Sequence, residues 1–249
     1  MGRLAIIGGS GLYSPGLGFE LETQAPTATP FGETSADILL GKWDGMPLVF
    51  LSRHGPDHRV PPHKINYRAN IWALKELGVE QIISVNAVGG ITAAMLPLTL
   101  VVPDQLIDYS SGREATFFDG DDGRVRHIDF TQPYSASVRG IISEAAFSLG
   151  IPLVASAVYA CTNGPRLETA AEVQRLGRDG CDVVGMTGMP EAVLARELDI
   201  DYAALALVVN KAAGIDEQPI SMEAILGFME QGMESIRPVL RQSLKLSQL

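Results

Sequence analysis

The sequence predicts an α/β protein, a single domain built around a mixed β-sheet with helices on its flanks. Two observations predict this fold class. Short apolar runs alternate with amphipathic segments of helical period along most of the chain. No internal repeat, low-complexity segment or linker divides the 249 residues, although this length would also fit two small domains.

The N-terminal region carries one predicted strand, a long loop and a hairpin. Residues 4–7 are apolar and stop at Gly8-Gly9-Ser10-Gly11, which predicts a short buried strand. The loop that follows is rich in Pro, Gly and Thr and continues to about residue 35. Residues 36–40 and 47–52 flank Trp43-Asp44-Gly45, and an Asp-Gly turn between two such runs predicts a β-hairpin.

A second loop and a helix follow the hairpin. Residues 53–65 contain three prolines and three of the four histidines, which is typical of a loop. Asn66 is a favourable N-cap, and apolar residues repeat every four positions from Ala69 to Leu77. Because Gly78 is a typical C-terminal stop, a helix is predicted from Asn66 through Leu77.

Strands and helices alternate more regularly in the second half of the chain. Apolar runs predict a strand within residues 100–108 and strands over residues 81–87, 153–159, 182–185 and 202–209. The last run is unbroken and rich in Ala, Leu and Val, as in strands that are buried on both faces. Helices are predicted over residues 135–149, 168–178 and 190–198. A final helix from Ser221 places these apolar residues on one stripe: Met222, Ile225, Met229, Met233, Ile236 and Leu240.

The charge balance and the cysteines exclude several classes of function. With 19 basic and 29 acidic side chains, the formal net charge is −10, which argues against duplex nucleic acid and anionic membranes as partners. Cys161 and Cys181 form no C-x-x-C motif and no disulfide framework. Because the sequence lacks a signal peptide and any long apolar segment, a soluble cytoplasmic protein is predicted.

The loop Gly8-Gly9-Ser10-Gly11 is a candidate phosphate site, because glycine-rich loops present backbone N–H groups to anions. The loop lacks the third glycine of a dinucleotide fingerprint. Leu12 also stands where a nucleophile elbow requires glycine. A plain tight turn is an equal alternative.

Arg53 and His54 directly follow the predicted strand over residues 47–52, at the carboxyl end where open α/β sheets bind ligands. An arginine fork with a neighbouring imidazole suits phosphate. One alternative is a metal site formed by His54, His58 and His63, which is disfavoured because no Asp, Glu or Cys cluster completes it. The other is that His58 and His63 are plain loop residues. No metal is predicted.

Small polar residues gather at three further strand ends: Asn86-Ala87, Met186-Thr187 and Asn210-Lys211-Ala212. Each alone is ordinary strand-to-loop chemistry. Together they place several donors and few acids along one edge of the sheet. Glu168, in the first turn of a predicted helix, is either a partner of the helix dipole or an acceptor for a ring N–H of a ligand.

The chain resembles the trimeric purine nucleoside phosphorylase and methylthioadenosine phosphorylase family in ordered blocks from residue 4 to about 240. These blocks are Gly8-Gly9-Ser10-Gly11, Arg53-His54-Gly55, Asn66-Tyr67-Arg68-Ala69-Asn70-Ile71-Trp72-Ala73-Leu74, Asn86-Ala87-Val88-Gly89, Gly164-Pro165-Arg166 and Gly185-Met186-Thr187-Gly188-Met189-Pro190-Glu191. The resemblance implies one phosphorylase domain over residues 1–249, a homotrimer, small-molecule nucleoside and phosphate as partners, and no cofactor.

The resemblance also implies roles for individual residues. Phosphate would be held by Ser10, Arg53, His54, Asn86, Ala87 and Thr187. The nucleoside would lie against Met186, Leu167, Glu168, Asn210, Lys211, Ala212, Met222, Ile225 and, from a neighbouring subunit, His127. Catalysis would depend on Asn210, Glu168 and His54. Phosphate on one face of the sugar stabilises its positive charge and attacks it, while a donor binds the leaving base.

Two departures from the family predict the substrate. Adenine-specific relatives carry Asp-x-Asp where this chain has Asn210-Lys211-Ala212. An amide donates to a 6-oxo group, and Glu168 accepts from the N1–H that only a 6-oxopurine carries.

The second departure concerns the 5′ group of the sugar. Met222, with Ile225 one turn on, stands where ordinary purine nucleoside phosphorylases carry a histidine for the 5′-hydroxyl. An apolar lining favours a 5′-methylthio group, although Met222 also fits the core stripe of its helix.

The predicted reaction is therefore phosphorolysis of S-methyl-5′-thioinosine to hypoxanthine and S-methyl-5-thioribose 1-phosphate. A general 6-oxopurine nucleoside phosphorylase is the alternative within the family, followed by a methylthioadenosine phosphorylase. From other classes, a non-catalytic purine-binding protein on the same scaffold and a histidine–metal hydrolase stay open.

Overall fold

One mixed β-sheet organises the chain. The computed structural model describes residues 3–9, 19–120, 123, 125–216 and 219–248. Its strands are β1 (Arg3–Gly8), β2 (Phe19–Ala25), β3 (Ala28–Thr29), β4 (Gly32–Glu33), β5 (Ile38–Trp43), β6 (Met46–Ser52), β7 (Val79–Gly90), β8 (Leu100–Val101), β9 (Gln105–Asp108), β10 (Leu153–Val154), β11 (Val158–Cys161), β12 (Val183–Gly185) and β13 (Asp201–Lys211). Its helices are α1 (Tyr67–Glu76), α2 (Ala136–Ser148), α3 (Ala170–Arg178), α4 (Gly188–Glu197) and α5 (Met222–Leu246), with a 3-10 turn at Pro62–Lys64.

The sheet has the strand order β10-β8-β13-β7-β1-β6-β5-β2, and β12, β11 and β9 extend from the end of β7. The central strands β6, β1, β7 and β13 are parallel to one another. β5, β2 and β8 pair in the antiparallel sense. The predicted single α/β domain with a mixed sheet is therefore confirmed.

Helices cover both faces of this sheet because the side chains of its central strands alternate between two apolar clusters. In β1, Ala5 and Ile7 pack in the cluster that includes residues of α1 and α4. Leu4 and Ile6 pack in the cluster that includes residues of α2 and α5. Among the described residues, no helix is long and apolar enough to cross a membrane.

Two local predictions are confirmed in detail. Asp44 and Gly45 both have positive φ, 51° and 77°, as the two-residue turn between β5 and β6 requires. The Asn66 side chain accepts a hydrogen bond from the backbone N–H of Ala69 and caps α1.

The prediction of an irregular loop up to residue 35 is wrong. β2 pairs with β5 as an edge strand, and β3 and β4 form a small separate sheet. Most β2 side chains are exposed. An edge strand of this kind takes its order from backbone hydrogen bonds to its neighbour, so its sequence lacks the apolar run of a buried strand.

Two predicted strand segments each contain two strands. Residues 100–108, predicted to contain one strand, contain β8 and β9, and the predicted strand over 153–159 becomes β10 and β11. Pro103, which has no N–H to donate, lies at the first break. Asp104 Oδ1 accepts from Ser156 Oγ at 2.9 Å and from the Ala157 N–H at 2.8 Å, which ties the two breaks together.

Candidate functional site

Strand ends from several parts of the chain meet at one edge of the sheet. β6, β7 and β13 are parallel, so their carboxyl ends point the same way. β12 runs antiparallel beside the end of β7 and returns the chain towards Asn86. As a result the Asn86 Nδ2–H donates to Thr187 Oγ1 at 2.8 Å, across 101 positions of sequence.

The sheet is uncovered where these ends meet. Ala87 is exposed, whereas Val85, Asn86 and Val88 beside it in β7 are buried. An exposed residue in the centre of a buried strand marks a gap in the layer above it. A ligand bound in this gap would lie within reach of the neighbouring polar groups.

Four of these polar groups form one hydrogen-bonded chain. The Arg53 Nη2–H donates to Ser84 Oγ at 2.6 Å, and the Ser84 hydroxyl donates to Asn86 Oδ1 at 3.1 Å. Asn86 then donates to Thr187, as above. Thr187 stands at the N-cap of α4 but forms no side-chain capping bond within the described residues. Its hydroxyl also interacts with the Tyr159 hydroxyl, so the Thr187 proton has one acceptor within the chain and can instead be offered to a bound anion.

The structure places Arg53 in the interior and not on the surface of the site. Its side chain is 2 % exposed, and its Nε and Nη2 donate to Glu191 at 3.0 Å and 2.9 Å. Nη1 donates to the Val85 carbonyl at 2.7 Å. Burial by itself lowers the pKa of Arg53, but the charge and hydrogen bonds of Glu191 outweigh it and raise the pKa above its usual value. One Nη1–H has no partner among the described residues and is what the side chain could offer to an anion.

His54 follows Arg53 and is held in one tautomer. Its Nδ1 lies 2.8 Å from the Val60 carbonyl oxygen, so Nδ1 carries the proton and donates it. Burial, and then the charge of Arg53, lower the pKa of His54 to about 4. The ring is neutral at physiological pH, and Nε2 is an acceptor.

The other histidines of this loop do not form a metal site in the structure. The ring of His58 stacks on that of His54 with centroids 4.4 Å apart. The described residues contain no group of three or more His, Cys, Asp and Glu side chains that could hold a metal ion.

His54→Asn is expected to flatten the loss of stability at acid pH. Because the pKa of His54 is about 4 in the folded chain and near 6.5 in the unfolded one, unfolding takes up a proton between these values. Stability therefore falls as the pH drops from 7 towards 4, by about 2 kcal/mol at pH 5. Asparagine retains a donor for Val60 and does not titrate.

The measurement is Tm between pH 7 and pH 5. The wild-type Tm should fall by about 4–8 °C more than that of His54→Asn, at about 2–4 °C for each kcal/mol in a chain of this size. His63→Asn, which removes an exposed imidazole of the same loop, is the matched control and should follow the wild type. Equal falls in wild type and His54→Asn would contradict the assignment.

Glu168 lies outside the helix that it was predicted to begin. α3 starts at Ala170, with Thr169 as N-cap and Glu172 completing the capping box. The interpretation of Glu168 as a partner of the helix dipole is therefore wrong, since Glu172 takes that place. Glu168 is half-buried, and its Oε1 accepts from Thr162 Oγ1 at 2.7 Å. One carboxylate oxygen is thereby anchored beside the site.

The three residues at the end of β13 have different environments. Asn210 is half-buried, and its Nδ2 donates to the Lys211 carbonyl at 2.7 Å. Lys211 forms an ion pair with Asp216 at 3.2 Å. Ala212 is 3 % exposed and packs in an apolar cluster with Val173 and Leu176 of α3. The contact of Ala212 with the nucleoside stays a prediction.

The apolar residues predicted to contact the nucleoside differ in their exposure. Met222, the first residue of α5, is 63 % exposed, so the interpretation of it as a core residue is wrong. Ile225 is 8 % exposed and packs in the core, and its contact with the nucleoside stays a prediction. Leu167 is 41 % exposed.

The remaining residues predicted to bind a ligand are Met186, His127 and Ser10. The side chain of Met186 packs against Gly164, whose φ of +57° and missing Cβ leave room for the thioether. His127 is exposed in the segment between β9 and α2. Ser10 lies outside the described residues.

Sequence reasoning missed Ser84, Glu191 and Tyr202. The Tyr202 hydroxyl donates to Glu191 Oε1 at 2.9 Å, within the same buried network. A signal for Ser84 was present. It interrupts the apolar run around it and lies two positions before Asn86, on the same face of the strand.

Comparison with known proteins places this site in context. The model of the Phosphorylase superfamily matches residues 3–245. A probable S-methyl-5′-thioinosine phosphorylase of Pseudomonas syringae pv. tomato is 51 % identical, over 98 % of each chain. A probable 6-oxopurine nucleoside phosphorylase of Dictyoglomus turgidum is 48 % identical, over 94 % of this chain and 88 % of its own.

Among solved structures, the methylthioadenosine phosphorylase of Schistosoma mansoni in complex with adenine has a similar fold. Its TM-score is 0.93 at 32 % identity, and the match covers 99 % of this chain and 92 % of that one. The likeness extends over the whole sheet and its helices.

Proposed function

The chain belongs to the phosphorylase superfamily, and we propose that it cleaves S-methyl-5′-thioinosine with phosphate to give hypoxanthine and S-methyl-5-thioribose 1-phosphate. It is an enzyme of the purine nucleoside phosphorylase type, a pentosyltransferase that takes phosphate as co-substrate. The observation that carries the choice of base is the neutral amide of Asn210 at the end of β13, with the Glu168 carboxylate as the acid beside the site.

Phosphate binding rests on donors at the open edge of the sheet. The Thr187 hydroxyl, the second N–H of Asn86 and the backbone at Ala87 supply them, with Arg53 behind. His54, neutral and protonated on Nδ1, accepts through Nε2 from a protonated phosphate oxygen. Ser10 is assigned to this site by resemblance. Such short-range donors outweigh the diffuse field of a chain with net charge −10, because salt screens that field beyond about 8–10 Å.

The chemistry follows from charge separation. As the glycosidic bond breaks, the sugar becomes positive and the purine negative. Bound phosphate stabilises the sugar cation and then forms the new bond at the same carbon, so no protein nucleophile is required. An Asn210 N–H stabilises the negative charge at N7, while Glu168 accepts from N1–H. Met186 and Leu167 lie against the ribose and base, and Lys211 stands next to Asn210 at the rim.

The test is hypoxanthine release from methylthioinosine, with and without phosphate. Release that requires phosphate and yields methylthioribose 1-phosphate supports the proposal. Equal rates in phosphate-free buffer would indicate a hydrolase, and tight binding of hypoxanthine without turnover would indicate a binding protein. Full activity in the presence of a strong chelator is expected, and its loss would favour the histidine–metal alternative.

A general 6-oxopurine nucleoside phosphorylase is the second candidate. The Dictyoglomus turgidum relative carries that name, and Met222 is exposed in the single chain, so its side chain does not by itself close an apolar pocket. A higher kcat/KM for inosine than for methylthioinosine would favour this candidate, and a higher value for methylthioadenosine would favour an adenine enzyme.

Met222→His is expected to raise kcat/KM for inosine relative to methylthioinosine by about tenfold, the worth of one hydrogen bond to the 5′-hydroxyl. Since Met222 is exposed, stability should stay within about 0.5 kcal/mol of wild type. Leu226→His, one turn further along α5 and also exposed, is the matched control and should not change the ratio. An unchanged ratio in Met222→His would remove Met222 from the 5′ subsite.

The assembly is proposed to be a homotrimer in which exposed His127 reaches the site of a neighbouring subunit. This proposal rests on the family resemblance. Two variants, His127→Ala and Thr187→Val, should each have low activity and regain part of it when their protomers are mixed and reassembled. No recovery on mixing would contradict a shared site. The cytoplasmic location stays a prediction.

A further inference from the structure

A buried serine supports the donors of the phosphate site without belonging to it. Ser84 is 0 % exposed and lies in β7 between Ile83 and Val85. A hydroxyl inside an apolar layer is costly unless it is hydrogen-bonded. Ser84 meets this condition on both sides, with Arg53 at 2.6 Å and Asn86 at 3.1 Å.

The donor–acceptor direction of these hydrogen bonds is set at the Arg53 end of the network. Glu191 holds Arg53 through two hydrogen bonds, at 3.0 Å and 2.9 Å, and is itself fully buried. A guanidinium only donates, so Ser84 Oγ accepts from Arg53. Its single proton goes to Asn86 Oδ1 at 3.1 Å, and the Tyr202 hydroxyl oxygen is a second acceptor beside it.

The same donor–acceptor order continues from Asn86 to Thr187, at the open edge of the sheet. Because Asn86 Oδ1 is occupied by Ser84, the Nδ2 group faces Thr187 and donates to Oγ1 at 2.8 Å. The Thr187 oxygen is thereby the acceptor of this bond, which leaves its proton for the Tyr159 hydroxyl or for a bound anion. If the Asn86 amide turned over, Oδ1 would take the Thr187 proton and present no donor to an anion.

We propose that Ser84 is a positioning residue of the phosphate site, which acts by fixing the orientation of the Asn86 amide and, through it, of the Thr187 hydroxyl. The inference rests on the proposed function, since it takes phosphate to be the ligand. It assigns a role to a residue two positions before Asn86 that touches no substrate.

Ser84→Ala is the main test. The KM for phosphate is expected to rise about tenfold, the effect of one misdirected hydrogen bond to an anion, while the KM for methylthioinosine stays within about twofold. Ser243→Ala is the matched control, because Ser243 is equally buried but its hydroxyl has no hydrogen-bond partner among the described residues. That variant should leave both KM values unchanged. An unchanged KM for phosphate in Ser84→Ala, or an equal rise in both KM values, would overturn the inference.

Two further variants separate the effect of Ser84 on hydrogen-bond orientation from its effect on core packing. Ser84→Thr keeps the hydroxyl and should keep the KM for phosphate within about twofold of wild type. In the Asn86→Ala background, Ser84→Ala should change that KM by less than about twofold, because the amide through which it acts is gone. Fully additive effects would overturn the inference. Ser84→Cys, which keeps the size but bonds weakly, takes the place of Ser84→Ala if the alanine variant does not fold.

A binding measurement keeps this inference separate from the proposed function. If the wild type releases no hypoxanthine in phosphate, the proposed function fails. The rise in Tm that inorganic phosphate produces in wild type is still expected to shrink in Ser84→Ala and to persist in Ser243→Ala. Equal rises in wild type and both variants would overturn the role of Ser84 whatever the reaction.

Discussion

Asn210→Asp is expected to lower kcat/KM for methylthioinosine by about 100-fold, the usual cost of losing one donor to a developing negative charge. A carboxylate accepts but does not donate, and its charge opposes the charge that forms on the leaving purine. A 6-aminopurine can instead donate to it. The ratio of methylthioadenosine to methylthioinosine activity should therefore rise.

The geometry around Asn210 makes this change informative. Its Nδ2 donates to the Lys211 carbonyl at 2.7 Å, which orients the amide and leaves one further N–H for a base. Asn210→Ala, which removes the donor without adding charge, is the control. If Asn210→Asp loses no more activity than Asn210→Ala and the base preference is unchanged in both, Asn210 does not face the purine.

As a test of base specificity, the structure favours Asn210→Asp alone over the double variant Asn210→Asp, Ala212→Asp. Adenine-specific relatives have an acid at the position of Ala212 as well, but here Ala212 is buried in an apolar cluster. Ala212→Asp would place an unpaired carboxylate there, which is among the most costly changes a core can take. A loss of activity in the double variant would then report unfolding and not specificity.

Glu191→Leu is expected to lower the free energy of unfolding by about 3–5 kcal/mol, because it leaves the buried Arg53 charge without its partner. The loss has a second part, since the Tyr202 hydroxyl would also lose its acceptor. In a chain of this size the Tm should fall by about 6–20 °C. Urea unfolding followed by circular dichroism measures the change directly.

Two comparisons identify the cause. Glu22→Leu breaks the exposed Lys42–Glu22 pair, which has a similar distance of 2.7 Å, and should cost less than about 1 kcal/mol. The double variant Arg53→Met, Glu191→Leu removes both charges and should recover most of the stability but not phosphate-dependent activity. If Glu191→Leu and Glu22→Leu destabilised equally, burial would not govern this pair.

Much of the fold could be predicted because its central strands and helices have strong local patterns. The Asp-Gly hairpin, the Asn66 cap and the run that forms β13 each follow from chemistry within a few residues. β2 could not be found in this way, since its order comes from pairing with β5. The breaks after β8 and β10 also depend on a partner, because Asp104 joins two segments that are 52 and 53 positions apart.

The site was predictable in kind but not in detail. Polar residues at strand ends predict a site at one edge of the sheet, where the structure brings Asn86 and Thr187 together, and the resemblance implies their roles. Whether each side chain faces that edge depends on packing. Ala212 and Ile225 turn into the core, Met222 turns out of it, and Glu168 stands clear of the helix that it was predicted to begin.

The α/β class, the family and the amide at position 210 can be predicted from the chain alone, because they depend on residue types and their order. The orientation of the proposed phosphate donors follows only from the folded chain. Ser84, Asn86, Thr187 and Arg53 lie up to 134 positions apart along the chain, and a hydrogen bond has a direction only when both partners are in place. The buried charge of Glu191 sets that direction, and no local pattern in the chain records it.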